Sequence, residues 1–184
     1  MTTTPGSNVI GDLGVSPIAV TAVTGFGLAL DGTGTFATTS GSSNVVGSVY
    51  GASLTASTPA YLTAAVGDMG IAYLDAAGRV NPDFVDRFTG NLEGQTLARG
   101  LYKWNGNVAF INSVTFSGSP TDIWILQIAG SFVVGSGASV VLEGGALAEN
   151  IFWQVAGLVD IGTNAHLEGT FLVFTMMAFN TGAA

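Results

Sequence analysis

The second half of the chain repeats itself. Trp124-Ile125-Leu126-Gln127-Ile128-Ala129-Gly130 is echoed by Phe152-Trp153-Gln154-Val155-Ala156-Gly157. Each is followed by an alternating run, residues 131–134 and 158–161, and then by a corner of small residues: Gly135-Ser136-Gly137-Ala138 in one copy and Gly162-Thr163-Asn164-Ala165 in the other. Leu142-Glu143-Gly144 is matched by Leu167-Glu168-Gly169, and a third corner, Asn180-Thr181-Gly182-Ala183, lies next to the last residue. A unit of strand and corner cannot bury its apolar face alone, whereas a stack of such units buries a continuous core. The repeat therefore predicts a mostly β solenoid, with irregular turns because the spacing between copies varies.

The strands are of two kinds. Those over residues 123–129, 151–156 and 170–174 are apolar on both faces, as strands covered on both sides are. One segment can supply the cover. Thr58 reads as a helix N-cap, Pro59 suits the first helical position, and Gly78 suits the residue after the end. Leu62, Val66, Met69, Tyr73 and Ala76 recur between them as a one-sided stripe. The spacing predicts one long helix over about 59–77, roughly 29 Å long, lying alongside some six stacked strands.

The other strands alternate. Phe132 and Val134, Val159 and Ile161, and Met177 and Phe179 are expected to point inward. Ser131 and Val133, Leu158 and Asp160, and Met176 and Ala178 would then point out. Earlier in the chain, Gly32-Thr33-Gly34-Thr35-Phe36-Ala37-Thr38-Thr39 offers a similar strand, with Phe36 inward and Thr35 and Ala37 outward. Stacked in parallel, these strands would make a flat lattice of small or uncharged side chains, about 6.6–7 Å apart along a strand and about 4.8 Å between strands.

Charge narrows the partners. Only 9% of the 184 residues are charged, against about a quarter in an ordinary soluble domain, and the net charge is −8. All four basic residues, Arg79, Arg87, Arg99 and Lys103, fall in one stretch. The chain has no basic patch for phosphates, which argues against nucleic acid and against anionic membranes. No run approaches the roughly 18 apolar residues of a membrane span. Cysteine is absent, and residues 1–6 do not read as a signal peptide. His166 stands without a second His or any Cys, so a structural role is expected of it and no metal site or cofactor is. Asp83, Asp86 and Glu93 with Arg79, Arg87 and Arg99 read as a solvated ion-pair patch near the helix end.

At this point the chain resembles a known family, the microbial ice-binding (antifreeze) proteins. Gly11-Asp12-Leu13-Gly14-Val15-Ser16-Pro17 is similar to that family's most recognisable motif. Thr58-Pro59 entering the helix, Ala76-Ala77-Gly78-Arg79 ending it, Gly100-Leu101-Tyr102-Lys103-Trp104, and residues 124–130 and 150–157 also correspond, in order, over nearly the whole chain. The resemblance implies a single domain over residues 1–184: an irregular right-handed parallel β-helix with one long α-helix packed alongside. It also implies a secreted monomer that is not an enzyme and adsorbs to the surface of ice crystals, giving thermal hysteresis and inhibiting recrystallisation. Carried over by position, the expected ice-binding residues are Thr33, Thr35, Ala37, Thr39, Ser131, Val133, Leu158, Asp160, Met176 and Ala178. Members of the family begin with a further strand and continue past residue 183, so the chain reads as trimmed at both ends. Leu158, Asp160 and Met176 make its face less threonine-rich than an idealised ice binder, which implies moderate activity.

Two other classes compete. A polysaccharide-binding or adhesin β-solenoid would present a row of exposed aromatics, for which Trp104, Trp124 and Trp153 are the candidates, although the latter two sit in strands that read as core. A β-helical lyase or hydrolase would need a groove with convergent carboxylates. No such pair is visible, and the enzyme ranks last.

Overall fold

The structure, a computed structural model, describes residues 8–39, 44–55 and 57–184. Among them the chain is mostly β with one long helix, and it divides into two compact units, Met1–Gly70 and Ile71–Ala184.

The first unit contains β1 (Asn8–Ile10), β2 (Leu13–Val15), β3 (Leu28–Leu30), β4 (Ala37–Thr39), β5 (Asn44–Val46) and β6 (Val49–Gly51). β1 pairs in parallel with β5, while the others form a sheet in the order β2-β6-β4-β3. In that sheet β4 runs antiparallel to both neighbours. Val20, Val23, Phe26, Ala37, Val45 and Val49 make its core.

The helix, α1 (Ser57–Gly78), takes in the predicted span and one or two residues more at each end. Leu62 and Ala76 of the expected stripe are buried, Met69 and Tyr73 are half-buried, and Val66 is exposed. Neither predicted cap acts as such. The Thr58 hydroxyl donates to the Thr35 carbonyl at 2.7 Å instead of to a helix N–H. Gly78 lies inside the helix, and the last carbonyls are met from the second unit's sheet: Gln127 Nε2 donates to Ala76 O at 2.8 Å and Arg79 O at 2.9 Å. A side chain reaching across from a strand thus does what a C-terminal glycine turn usually does.

The second unit contains β7 (Phe84–Val85), β8 (Thr96–Leu97), β9 (Gly100–Trp104), β10 (Val108–Phe110), β11 (Ser113–Ser117), β12 (Trp124–Ile128), β13 (Phe132–Val134), β14 (Ser139–Glu143), β15 (Ile151–Val155), β16 (Val159–Ile161), β17 (Thr170–Val173) and β18 (Met177–Phe179). They form three sheets, ordered β17-β15-β12-β9-β7, β10-β13-β16-β18 and β14-β11-β8. Every pairing is parallel, and the chain visits the sheets in rotation: β9, β10, β11, then β12, β13, β14. The two sequence copies superpose in this register, with Leu126 opposite Trp153 and Gln127 opposite Gln154. The small corners have a steric cause. A Cβ at Gly162 would lie 2.5 Å from the Gly135 carbonyl carbon, and one at Gly135 would lie 2.7 Å from the Ile111 backbone. Successive corners touch backbone to backbone, and only glycine fits between them.

Inside, Tyr102, Leu126, Trp153 and Phe171 stand in one register column. Trp153 stacks on Phe132 at 4.6 Å and on Phe171 at 5.5 Å. All three tryptophans are at most 1% exposed. The five-stranded sheet turns Ile125, Phe152 and Leu172 toward Ala72 and Ala76 of the helix, which explains why these strands are apolar on both faces.

The expected ion-pair patch is different in kind. Arg79 pairs with Asp75 at 2.7 Å and Arg99 with Asp122 at 3.5 Å. Arg87 lies over the rings of Phe84 and Phe88, 4.7 Å from each centroid. The other acids serve the backbone. Asp83 accepts from Leu101 N, Asp86 from Asn105 N, and Glu93 from Ile111 N and Asn112 N, all within 2.8 Å. Strand-to-strand corners leave amide groups without a ladder partner, and these carboxylates supply one. The hydrogen bonds hold Asp86 and Glu93 below the ordinary carboxylate range.

Candidate functional site

The alternating runs of the second half come together in the sheet β10-β13-β16-β18. Its register sets Val108, Phe132, Val159 and Met177 in one row, Ala109, Val133, Asp160 and Ala178 in the next, and Phe110, Val134, Ile161 and Phe179 in the third. The first and third rows point inward: Val108, Phe110, Phe132, Val134, Val159 and Ile161 are buried. The middle row faces out. Val133 is 42% exposed, while Ala109, Asp160 and Ala178 are half-buried. Ser131, Leu158 and Met176 sit one residue before β13, β16 and β18 and add a second outward row, with Leu158 and Met176 exposed. Six of the predicted residues therefore share one side of one sheet. Phe179, expected inward, is 55% exposed despite standing in register with Ile161.

The geometry is regular because the strands are short, parallel and in register, with neighbours about 4.8 Å apart. The rows are fixed at their edges by side chains bonded to backbone. Asn107 Oδ1 accepts from Ser131 N at 2.9 Å, and the Thr175 hydroxyl donates to Gly157 O at 2.6 Å. Asn180 Nδ2 donates both to Ile161 O at 2.9 Å and to Asp160 Oδ1 at 3.0 Å. Sequence reasoning missed β10, and with it Ala109. The signal is present: Val108, Ala109 and Phe110 alternate as β13 does, but Asn105-Gly106-Asn107 before them reads as a turn and hides a three-residue strand. Asn91, bridged in parallel to Ala109, extends the same outward row.

The other four predicted residues do not belong to this sheet. Ala37 and Thr39 lie in β4, which pairs with β3 and β6 within the first unit. Ala37 is not outward: it is fully buried, between Leu30 and Val49 in the register. Thr33 and Thr35 are not strand residues but part of a turn closed on Asp31. Asp31 accepts from the Thr33 hydroxyl and from the amides of Thr33, Thr35 and Phe36. The Thr33 hydroxyl, then these amides, hold its carboxyl down at about 2 despite the opposing cost of burial. Thr39 is occupied as well, its Oγ1 accepting from Val45 N at 2.9 Å.

Elsewhere, His166 is exposed and hydrogen-bonded to Glu168 Oε1 at 3.0 Å. Among the described residues no three His, Cys, Asp or Glu side chains cluster as metal ligands, and no helix is long and apolar enough to cross a membrane. A cleft of about 400 Å³ beside the helix end is lined by Ala72, Ala76, Ile123, Ile125, Phe152 and Leu172, and its one carboxylate, Asp75, is the one paired with Arg79.

The chain is 49% identical over 175 residues to ice-binding protein K3-B1 of Typhula ishikariensis, spanning 95% of this chain and 71% of that protein. It is 43% identical over 180 residues to an ice-binding protein of Leucosporidium sp. (strain AY30), spanning 98% and 68%. Among solved structures it is similar to the ice-binding protein LeIBP from Arctic yeast, with a TM-score of 0.94 and 42% identity over 99% of this chain and 77% of that one. The domain of Shewanella frigidimarina ice-binding protein 1 gives a TM-score of 0.85 at 28% identity, over 99% and 80%. The family model described as Ice-binding-like matches residues 1–184, and the chain belongs to that family.

Proposed function

We propose that this protein adsorbs to ice through the outward face of β10, β13, β16 and β18, with no covalent chemistry, giving thermal hysteresis and inhibiting ice recrystallisation. The observation that carries the reading is the register of that sheet: Ala109, Val133, Asp160 and Ala178 in one row, Ser131, Leu158 and Met176 beside it, on strands locked in parallel. In this reading the rotation of the chain through three parallel sheets is an irregular right-handed β-helix, and the protein works outside the cell as a monomer. The ten residues first expected at the site reduce to Ser131, Val133, Leu158, Asp160, Met176 and Ala178, with Ala109 added.

The mechanism rests on ordering water without paying for ordering the protein. Methyl and small apolar groups at about 4.8 Å spacing hold a layer of constrained water, and hydroxyl and amide groups at the margins anchor it by hydrogen bonds. A sheet fixed before binding loses little conformational entropy at contact. Long charged side chains would disturb such a layer, and no Lys or Arg occurs beyond residue 103. Burial of all three tryptophans takes them out of any aromatic platform of the kind a glycan-binding solenoid would present.

The test is growth of a single ice crystal in purified protein, comparing wild type with Val133→Tyr. Wild type is expected to show a hysteresis gap and faceted crystals. Val133→Tyr places a bulky ring in the middle of the outward row, and it is expected to lose most of the gap with an unchanged melting temperature. Full activity in a folded Val133→Tyr protein would move the site to another face.

A further inference from the structure

The outward row is uncharged except at Asp160. Its carboxylate stands between Val133 on one side and Ala178 on the other, with Leu158 two residues before it on the same strand. Among the described residues its one hydrogen-bond partner is an amide, Asn180 Nδ2 at 3.0 Å. That amide also donates to Ile161 O, so Asn180 bridges backbone and side chain and fixes where the carboxylate points. Among the described residues no cation lies within ion-pair distance of Asp160; Arg79 pairs with Asp75, Arg99 with Asp122, and His166 meets Glu168. The acids at the corners are different. Asp86 and Glu93 each accept backbone amides, whereas among the described residues Asp160 accepts from the Asn180 side chain and from no backbone N–H.

Resting on the reading that this sheet meets ice, we propose that Asp160 is the residue that limits its affinity, with Asn180 as the positioning residue that keeps the charge on the face. An ionised carboxylate in liquid water is stabilised by molecules free to turn their hydrogens toward it. Water at an ice front has its orientations set by the lattice, and a carboxylate without a cation must surrender part of that stabilisation on adsorption. Neighbours such as Ala109, Val133 and Ala178 give up nothing comparable. Adsorption therefore proceeds against a local penalty at the centre of the face, and the penalty comes from the charge, not from the shape of the side chain.

That distinction makes the inference testable, because Asp160→Asn removes the charge and keeps both the shape and an oxygen that accepts from Asn180. Thermal hysteresis is measured against concentration for wild type, Asp160→Asn, Asp160→Thr and Val133→Tyr, with melting temperatures from circular dichroism. Asp160→Asn and Asp160→Thr are each expected to raise hysteresis at equal concentration about two-fold or more, without a matching change in melting temperature. Asp160→Asn at or below wild type, with Val133→Tyr inactive, would overturn the role of Asp160 while keeping the face. Wild-type hysteresis in all three folded variants would overturn the face itself. A purely structural role for Asp160 would move melting temperature and leave hysteresis per folded molecule unchanged, which also overturns the inference.

Discussion

β4 and β13 are both three-residue strands in which side chains alternate, yet β4 turns its alanine into a core and β13 turns its valine out to solvent. In the first unit β4 lies antiparallel between β3 and β6, with Ala37 opposite Leu30 and Val49, and Ala37 and Val49 are buried in that unit's core. Phe36, outside the strand, is half-buried and leans toward Tyr50, 6.3 Å away. In the second unit β13 has parallel neighbours on both sides, and Phe132 and Val134 enter a core already built of large rings. Alternation decides which residues share a side of a strand. Which side becomes the interior is decided by what the other sheets bring to meet it, and in the second unit that is Trp153 and Phe171.

The comparison breaks most visibly if that aromatic column is removed. Trp153 is fully buried and stacked on both Phe132 and Phe171, and its Nε1 donates to Glu168 O at 3.0 Å. Trp153→Ala is expected to cost about 3–5 kcal/mol, as large-to-small core changes do, and to weaken the near-ultraviolet circular dichroism of the second unit. A loss below about 1 kcal/mol would mean that β13 is held outward-facing by its ladder alone.

A matched pair of substitutions sharpens it. Ala37→Leu forces a larger side chain into a filled core and should destabilise by about 1–3 kcal/mol. Val133→Phe likewise adds several carbons, but on the open side of β13, and should stay within about 0.5 kcal/mol. Denaturant unfolding of the two variants against wild type reads this directly. Equal losses would show that the two strands do not differ in orientation.

Much of this was legible in the sequence, and the limits are instructive. The repeat around Trp124 and Trp153 gave the parallel register because both copies carry strand, corner and strand in the same order. The helix was legible from its Pro59 start and apolar stripe, but not the partner at its end, because a glutamine in a strand fifty residues away leaves no local mark. Six residues of the outward rows followed from alternation. Ala37 did not, since an alanine fits either side and its antiparallel pairing depends on β3 and β6. Thr33 and Thr35 read as strand because threonine favours strands, whereas Asp31 draws the Thr33, Thr35 and Phe36 amides into a turn. A carboxylate a few residues away from such a run is the cue that an Asx-type turn competes with the sheet.

Those carboxylates give the two units a shared acid sensitivity, and it is the smallest effect expected. Asp31 in the first unit is held at about 2, against an ordinary 3.8, first by the Thr33 hydroxyl and then by three amides. Glu93 in the second is lowered by the Asn112 side chain and by the amides of Asn112 and Ile111. A carboxyl depressed in the folded state contributes stability that is fully present above its unfolded value and is lost as pH falls through its folded value. For Asp31 that window runs from about pH 4 down to about pH 2. The melting temperature of wild type should therefore decline on acidification across it. Asp31→Asn should melt lower than wild type at pH 7 and show a flatter decline, because the turn no longer has an ionised acceptor to lose. Glu93→Gln should flatten the decline seen by tryptophan fluorescence, since Trp104, Trp124 and Trp153 all lie in the second unit. Unaltered slopes in both variants would mean that the corner amides are satisfied without these charges, and that the turn at Asp31 and the corner at Glu93 are held by their backbones alone.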